Sequence, residues 1–172
     1  MKQSSIDLWL PELDDLIGHW RRATIPAAVF GVASHISLLF PWADNPSEQQ
    51  LSTLETALVD FKQFELCFVH VGRFPGVLWL APQPKELVQN LMNRIMQSFP
   101  EFSPYGGAFA VPEPHLTVAK GDEETLDILE EELKSALPSI SERKFTVDYV
   151  SIASEDFQGQ WTISSRFSLK AD

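Results

Sequence analysis

Two tetrapeptides eighty positions apart carry the residues best suited to chemistry: His35-Ile36-Ser37-Leu38 and His115-Leu116-Thr117-Val118. Each is a histidine, an apolar residue, a hydroxyl residue and a second apolar residue. In an extended strand, positions i and i+2 share a face. Each motif therefore sets an imidazole beside a hydroxyl, while Ile36/Leu38 and Leu116/Val118 point the other way, into a core. An unperturbed imidazole titrates near pH ~6.5, so one of a pair starts neutral and the other protonated close to neutrality. Two such faces meeting across a cleft supply a proton acceptor, a proton donor and two small hydrogen-bonding groups, a set suited to acid–base work on an oxyanion.

A single His-x-Ser/Thr in a strand is more often structural than catalytic, so the elements around the motifs carry the weight. Residues 5–9 read as a short strand, and 11–22 as an amphipathic helix burying Leu13, Leu16, Ile17 and Trp20. A Pro- and Ala-rich connection over 24–34 delivers the first motif strand, which Pro41 ends. A helix capped near Asn45–Glu48 runs to about residue 60 and buries Leu51, Leu54, Leu58 and Phe61. A hairpin follows, with strands over 64–72 and 77–81 joined by a turn at 72–76. A helix over 84–98 buries Leu87, Leu91, Ile95 and Met96, and a loop rich in turn formers over 99–114 presents the second motif. An acidic helix from Gly121-Asp122 to about Leu137 buries Leu126, Leu129 and Leu133 and is broken by Pro138. Strands over 144–153 and 159–169 read as a closing hairpin. The order helix, histidine strand, helix, hairpin occurs twice, once around each motif. The expectation is an α+β fold with a pseudo-two-fold, bilobal architecture: two antiparallel sheets facing a central cleft, helices outside, one motif from each lobe.

Length and charge narrow the ligand. The 172 residues suffice for one domain of two small lobes spanning 1–172. The formal net charge is −11, with 13 Lys and Arg against 24 Asp and Glu, and no basic stripe is visible. Such a chain lacks the cations that grip an extended nucleic-acid tract, whereas a small anion held by a few local donors is compatible with it. No apolar run is long enough to cross a bilayer and the N-terminal residues lack the apolar core of a signal peptide, which predicts a cytoplasmic protein without membrane contact. A monomer is expected. The lone Cys67, within the apolar run 64–71, reads as a core thiol. Neither motif has an i+4 histidine or a carboxylate cluster at ligand spacing, so neither a metal site nor a cofactor is expected.

Several other residues bear on the site. Tyr105, Gly106, Gly107 and Phe109 precede the second motif, where a glycine-lined loop admits a phosphate and an aromatic ring stacks on a base; an ordinary turn with packed aromatics is the competing reading. Lys120 follows the second motif as a candidate phosphate contact, although alternation assigns it to the face opposite His115 and Thr117 unless the strand ends at Ala119. His70 and His19 read as structural or surface residues, and Trp79 and Trp161 as core.

The paired motifs resemble the His-x-Thr/Ser-apolar signatures of the two-histidine (2H) phosphoesterase superfamily, which includes the 2′-5′ RNA ligase-like proteins and 2′,3′-cyclic phosphodiesterases. Leu38-Leu39-Phe40-Pro41, Gly72-Arg73-Phe74, Leu78-Trp79-Leu80-Ala81-Pro82, Phe99-Pro100-Glu101, Pro104 to Phe109 and Pro114 to Ala119 extend the likeness to the small bacterial branch, over roughly residues 10 to 169. The resemblance implies His35 and His115 as the catalytic pair, Ser37 and Thr117 as phosphate-binding groups, a basic role at Lys120, and no metal. It also implies a small nucleotide or RNA terminus as substrate. Ser37 stands where threonine is commoner, which removes only the methyl that stiffens χ1.

Overall fold

The computed structural model describes residues 3–107 and 112–171. Among the described residues, eight strands form two four-stranded antiparallel sheets. The first has the order β2-β1-β7-β8, built from β1 (Ser4–Trp9), β2 (His35–Leu39), β7 (Tyr149–Glu155) and β8 (Trp161–Ser168). The second has the order β5-β4-β3-β6, built from β3 (Phe64–Phe74), β4 (Val77–Gln83), β5 (Leu116–Lys120) and β6 (Phe145–Val147). Each sheet turns one face into the core. Ile6, Leu8, Ile36, Leu38, Val150 and Ile152 do so from the first, and Leu66, Phe68, Leu78, Leu80, Leu116 and Val118 from the second. Helix α1 (Asp14–Thr24) packs on β5 and α5 (Glu123–Ser141) on β3, while α4 (Lys85–Ser98) packs on β2 and on α3 (Glu48–Leu58).

Both motif strands are sheet edges, and they meet. β2 ends the first sheet, β5 ends the second, and the two approach with Cα atoms within 8 Å. An edge strand normally risks pairing with a foreign chain; here the two edges lie close to each other. The α+β class, the antiparallel sheets and the outer helices match the sequence reading.

Several expectations need correction. The closing hairpin forms between β7 and β8, but the segment 144–153 is not a single strand. It splits at Asp148, so that β6 joins β3 in the second sheet and β7 inserts between β1 and β8 in the first. Pro138 does not end α5, which continues to Ser141. The ring removes one backbone donor near the last turn, and buried Ile140 together with a 2.7 Å bond from Ser141 Oγ to the Phe68 carbonyl holds the extension in place. The connection before the first motif contains a one-turn helix, α2 (Pro26–Val29), with Pro26 at its first position. The hairpin turn is only Pro75-Gly76, with Gly76 at φ +74°, so β3 runs on through Gly72, Arg73 and Phe74. In α4 the buried stripe is Val88, Leu91, Met92 and Ile95, and Leu87 faces outward.

Candidate functional site

The cleft lies where β2 meets β5. It has a volume of about 240 Å³, and its lining includes His35, Ser37, His115, Thr117, Tyr105 and Lys120. Strand alternation places the first pair: Ile36 and Leu38 are sealed in the core, so His35 and Ser37 take the opposite face. Their cross-strand partners on β1 are Trp9 and Asp7 respectively. His115 lies one residue before β5, not within it, and Thr117 pairs with Trp79 of β4.

The two imidazoles are held in the same way. His35 Nδ1 lies 2.8 Å from the carbonyl of Ala33, and His115 Nδ1 lies 2.7 Å from that of Glu113, in each case two residues upstream. A carbonyl only accepts, so Nδ1 carries the hydrogen in both rings. Among the described residues no hydrogen bond reaches either Nε2. Each Nε2 thus holds a lone pair when its ring is neutral and an N–H when it is charged, which is what proton exchange with a ligand requires.

Their surroundings differ. The Trp9 ring stacks beside His35 at 6.3 Å between centroids, whereas His115 is enclosed by Phe74 at 5.2 Å, Trp79 at 5.9 Å and Tyr105 at 6.0 Å. Burial lowers the pKa of both rings. For His35 the Asp7 carboxylate opposes the shift; for His115 the hydrogen bond to Glu113 opposes it, and a proton on His35 adds to it. Burial likewise pushes the Tyr105 phenol up to about 12, with the Asp7 charge as a secondary cause. Asp7 is itself raised by burial, against the pull of His35 and of the Ser5, Ser37 and Trp9 donors.

Helix α1 clamps both half-sites. Asp14 and Arg21, seven residues apart, lie on one face of a helix. The Asp14 carboxylate accepts from Ser34 Oγ at 2.6 Å and from the Ser34 amide. Arg21 is 1% exposed and donates to the carbonyls of Val32 and Ala33 at 3.0 Å and of Thr117 at 2.7 Å. The Ala33 carbonyl is the one that orients His35. One guanidinium therefore touches the backbone leading into the first motif and the backbone of the second.

The remaining residues sort as follows. Lys120 lines the cleft although β5 extends through it. The reason is a register shift: Thr117 pairs with Trp79 and Ala119 with Leu78, so Val118 is an extra residue and the alternation beyond it is reversed. Tyr105 lines the cleft with its backbone at φ +51°, an unusual conformation for a side chain of this size, fixed by a 2.7 Å bond from its amide to the Phe40 carbonyl. Gly106, at φ +64°, is exposed and does not line the cleft. Phe109 lies outside the described residues. His70 and His19 are exposed and stand away from the cleft. Trp79 is core, as expected, and also backs His115, whereas Trp161 lines the cleft and is only partly buried. Cys67 is free and half-buried. Among the described residues no group of three or more His, Cys, Asp or Glu is placed to hold a metal ion, and no helix is long and apolar enough to cross a membrane.

Asp7, Trp9 and Arg21 were not singled out from the sequence. The polar series Ser5, Asp7, Trp9, alternating with Ile6 and Leu8, was the available signal for the first two. For Arg21 it was the seven-residue spacing from Asp14.

Comparison with known proteins bears on the family and the fold. The sequence model described as the 2′-5′ RNA ligase superfamily matches residues 9–158. Among solved structures, E. coli LigT in complex with NADP+ superposes with a TM-score of 0.61 at 20% identity, covering 98% of each chain. Other LigT structures hold 3′-AMP, phosphate or ATP. A protein described as a phosphoesterase gives 0.60 at 18% identity, and TT0787 of Thermus thermophilus gives 0.61 at 15%, each covering 99% of both chains. At these identities the structural likeness speaks for the fold. No curated protein sequence matches the chain.

Proposed function

The chain belongs to the 2′-5′ RNA ligase superfamily of 2H phosphoesterases, and on that premise we propose that it is a phosphoesterase acting on 2′,3′-cyclic phosphate or 2′-5′-linked nucleotides or RNA ends, through His35 and His115 and without a metal. The observation that carries this reading is the matched pair of rings: two imidazoles, each fixed through Nδ1 to the carbonyl two residues upstream, each with Nε2 unpartnered among the described residues, lining one cleft.

One neutral ring takes a proton from water as the water oxygen bonds to phosphorus. The other, protonated, gives its proton to the departing ribose oxygen. Ser37 and Thr117 stabilise the non-bridging oxygens as charge grows on them, and Lys120 faces the same space. A cleft of this size accepts a nucleotide or a chain end rather than a long strand, in keeping with the net charge of −11 and with the small ligands bound by LigT. The favoured direction is hydrolysis. The same groups run backwards join a 2′,3′-cyclic phosphate to a hydroxyl without ATP, and product analysis separates the two directions.

The test is turnover of 2′,3′-cyclic nucleotides and 2′-5′ dinucleotides. His35→Ala and His115→Ala are each expected to lower the rate by about 10² to 10⁴, and Ser37→Ala and Thr117→Ala by less. Full activity of both histidine variants on every substrate the wild type turns over refutes the assignment. Tight binding of these ligands by a wild type that never turns them over makes the site a binder.

A further inference from the structure

One buried carboxylate in the cleft is unexplained by the two motifs. Asp7 sits in the middle of β1 on the cleft face and is 1% exposed. It is ringed by donors from three strands: Ser5 and Trp9 on β1, Ser37 opposite on β2 and Ser151 opposite on β7. Ser5 Oγ donates to Asp7 Oδ2, and Trp9 Nε1 reaches the same oxygen at 3.4 Å. Asp7 Oδ1 and Ser151 Oγ are buried without a hydrogen-bond partner among the described residues. A carboxylate sealed from water is costly unless donors or a cation compensate it.

The register supplies the cation. Trp9 pairs with His35 and Asp7 with Ser37, so Asp7 and His35 are diagonal neighbours on one sheet face. Arg21 and Asp14 also face His35 from α1, but Arg21 is already engaged with three carbonyls and ion-paired to Asp14. Tyr105 and His115 face it across the cleft. His115 has a different neighbourhood: three aromatic rings, Lys120, and Glu113, whose carboxylate is turned to Lys85 at 2.7 Å. The two half-sites therefore share a backbone geometry and differ in their charged neighbours, with the buried Asp7 carboxylate beside His35, and Lys120 and an ion-paired Glu113 beside His115.

Resting on the phosphoesterase reading above, we propose that Asp7 is a positioning residue that holds His35 in its imidazolium form, making His35 the proton donor to the leaving oxygen and His115 the proton acceptor from water. Burial lowers both rings and raises Asp7, and within that the charges separate the two histidines: Asp7 opposes the fall at His35, whereas a proton on His35 deepens the fall at His115. In hydrolysis, His115 Nε2 takes a proton from water while the water oxygen bonds to phosphorus. The bond from phosphorus to one ribose oxygen breaks, its electron pair stays on that oxygen, and the oxygen takes the proton from His35 Nε2. One water is consumed, a phosphomonoester and a ribose hydroxyl are formed, and proton exchange with solvent returns both rings to their starting states.

Asp7→Asn keeps the shape and removes the charge. In the pH profile of kcat/KM on a 2′,3′-cyclic nucleotide, the high-pH limb, where the acid loses its proton, is expected to move down by about one to two pH units, from charges about 7 Å apart at an effective dielectric constant of about 20. The low-pH limb stays within a few tenths of a unit, and Asp7→Glu restores part of the shift. Asp7→Ser, whose hydroxyl joins those of Ser5 and Ser37, gives the same result if the asparagine variant does not fold. A nucleoside 3′-p-nitrophenyl phosphate supplies an independent reading, because its leaving group needs no proton. On it His35→Ala and Asp7→Asn recover activity at least tenfold relative to the cyclic substrate, and His115→Ala does not. An unmoved high-pH limb in the folded Asp7 variants, or recovery by His115→Ala instead of His35→Ala, overturns the role of Asp7. Full turnover of the cyclic nucleotide by both histidine variants fails the phosphoesterase reading itself, a result distinct from either.

Discussion

Replacing Arg21 by methionine tests whether the two half-sites are held together by one side chain. Methionine has a similar length and leaves the buried space largely filled, so the perturbation is the loss of charge and donors rather than a cavity. The side chain is 2% exposed, against 30% for Asp14, and it serves three carbonyls at 2.7 to 3.0 Å. Hydrogen bonds from a charged donor are worth about 1.5 to 3 kcal/mol each. Removing the guanidinium also relieves its own desolvation, so a net loss of about 3–5 kcal/mol, the range for breaking a buried pair, is the reasoned value. In a chain of this length that lowers Tm by between about 6 and 20 °C. Arg21→Lys retains a charge but reaches fewer of the carbonyls, and is expected to fold while losing up to about 10² in kcat through misplacement of the motifs. Urea denaturation, thermal melting and turnover of 2′,3′-cyclic AMP measure the three effects. Methionine at wild-type stability within about 1 kcal/mol, or lysine at full kcat, refutes the clamp.

Two further outcomes are expected. At Gly72 an added Cβ would lie 2.2 to 2.4 Å from the Trp79 ring, which backs His115; Gly72→Ala should cost about 1–3 kcal/mol and lower kcat, and combining it with Trp79→Leu should recover stability in a denaturant titration. Stability should also depend on pH through the histidines. Both rings have lowered pKa values in the folded chain, so below about pH 6.5 the unfolded chain binds protons that the folded one refuses, and stability falls with pH from there down to the folded values. Replacing His115 by asparagine should flatten that slope, and an unchanged slope contradicts the burial argument.

The motifs were legible because alternation is a local rule: Ile36, Leu38, Leu116 and Val118 had to face the core, which turned the histidines and hydroxyls to the other side. Wherever the outcome depended on a distant partner, the sequence was mute or misleading. Lys120 was carried as a candidate contact against the alternation rule, which put it on the opposite face because the bulge at Val118 exists only in register with β4. The break at Asp148 was invisible because β6 and β7 are drawn to different sheets by strands far upstream. Asp7 could be seen to alternate with apolar residues, but its proximity to His35 comes from the β1–β2 register. Pro138 misled because a propensity rule gave way to packing of Ile140 and the Ser141 anchor.

The interleaved strand order also bears on how the cleft comes into being. β3 pairs with β4 through a tight turn, and β1 with β2 and β4 with β5 at moderate separation, but the other side of β1 waits for β7, with Ser4 opposite Ser154, and the other side of β3 for β6, with Phe64 opposite Val147. Closing so long a loop is entropically expensive and is gained late in folding. Asp7 lies between those two pairings, with Ser37 on one side and Ser151 on the other. Until the last strands arrive, the carboxylate remains open to water, and its influence on the first histidine is screened. The second half-site, on β4 and β5, does not depend on β7; the charge asymmetry between the two requires β7 in place beside β1.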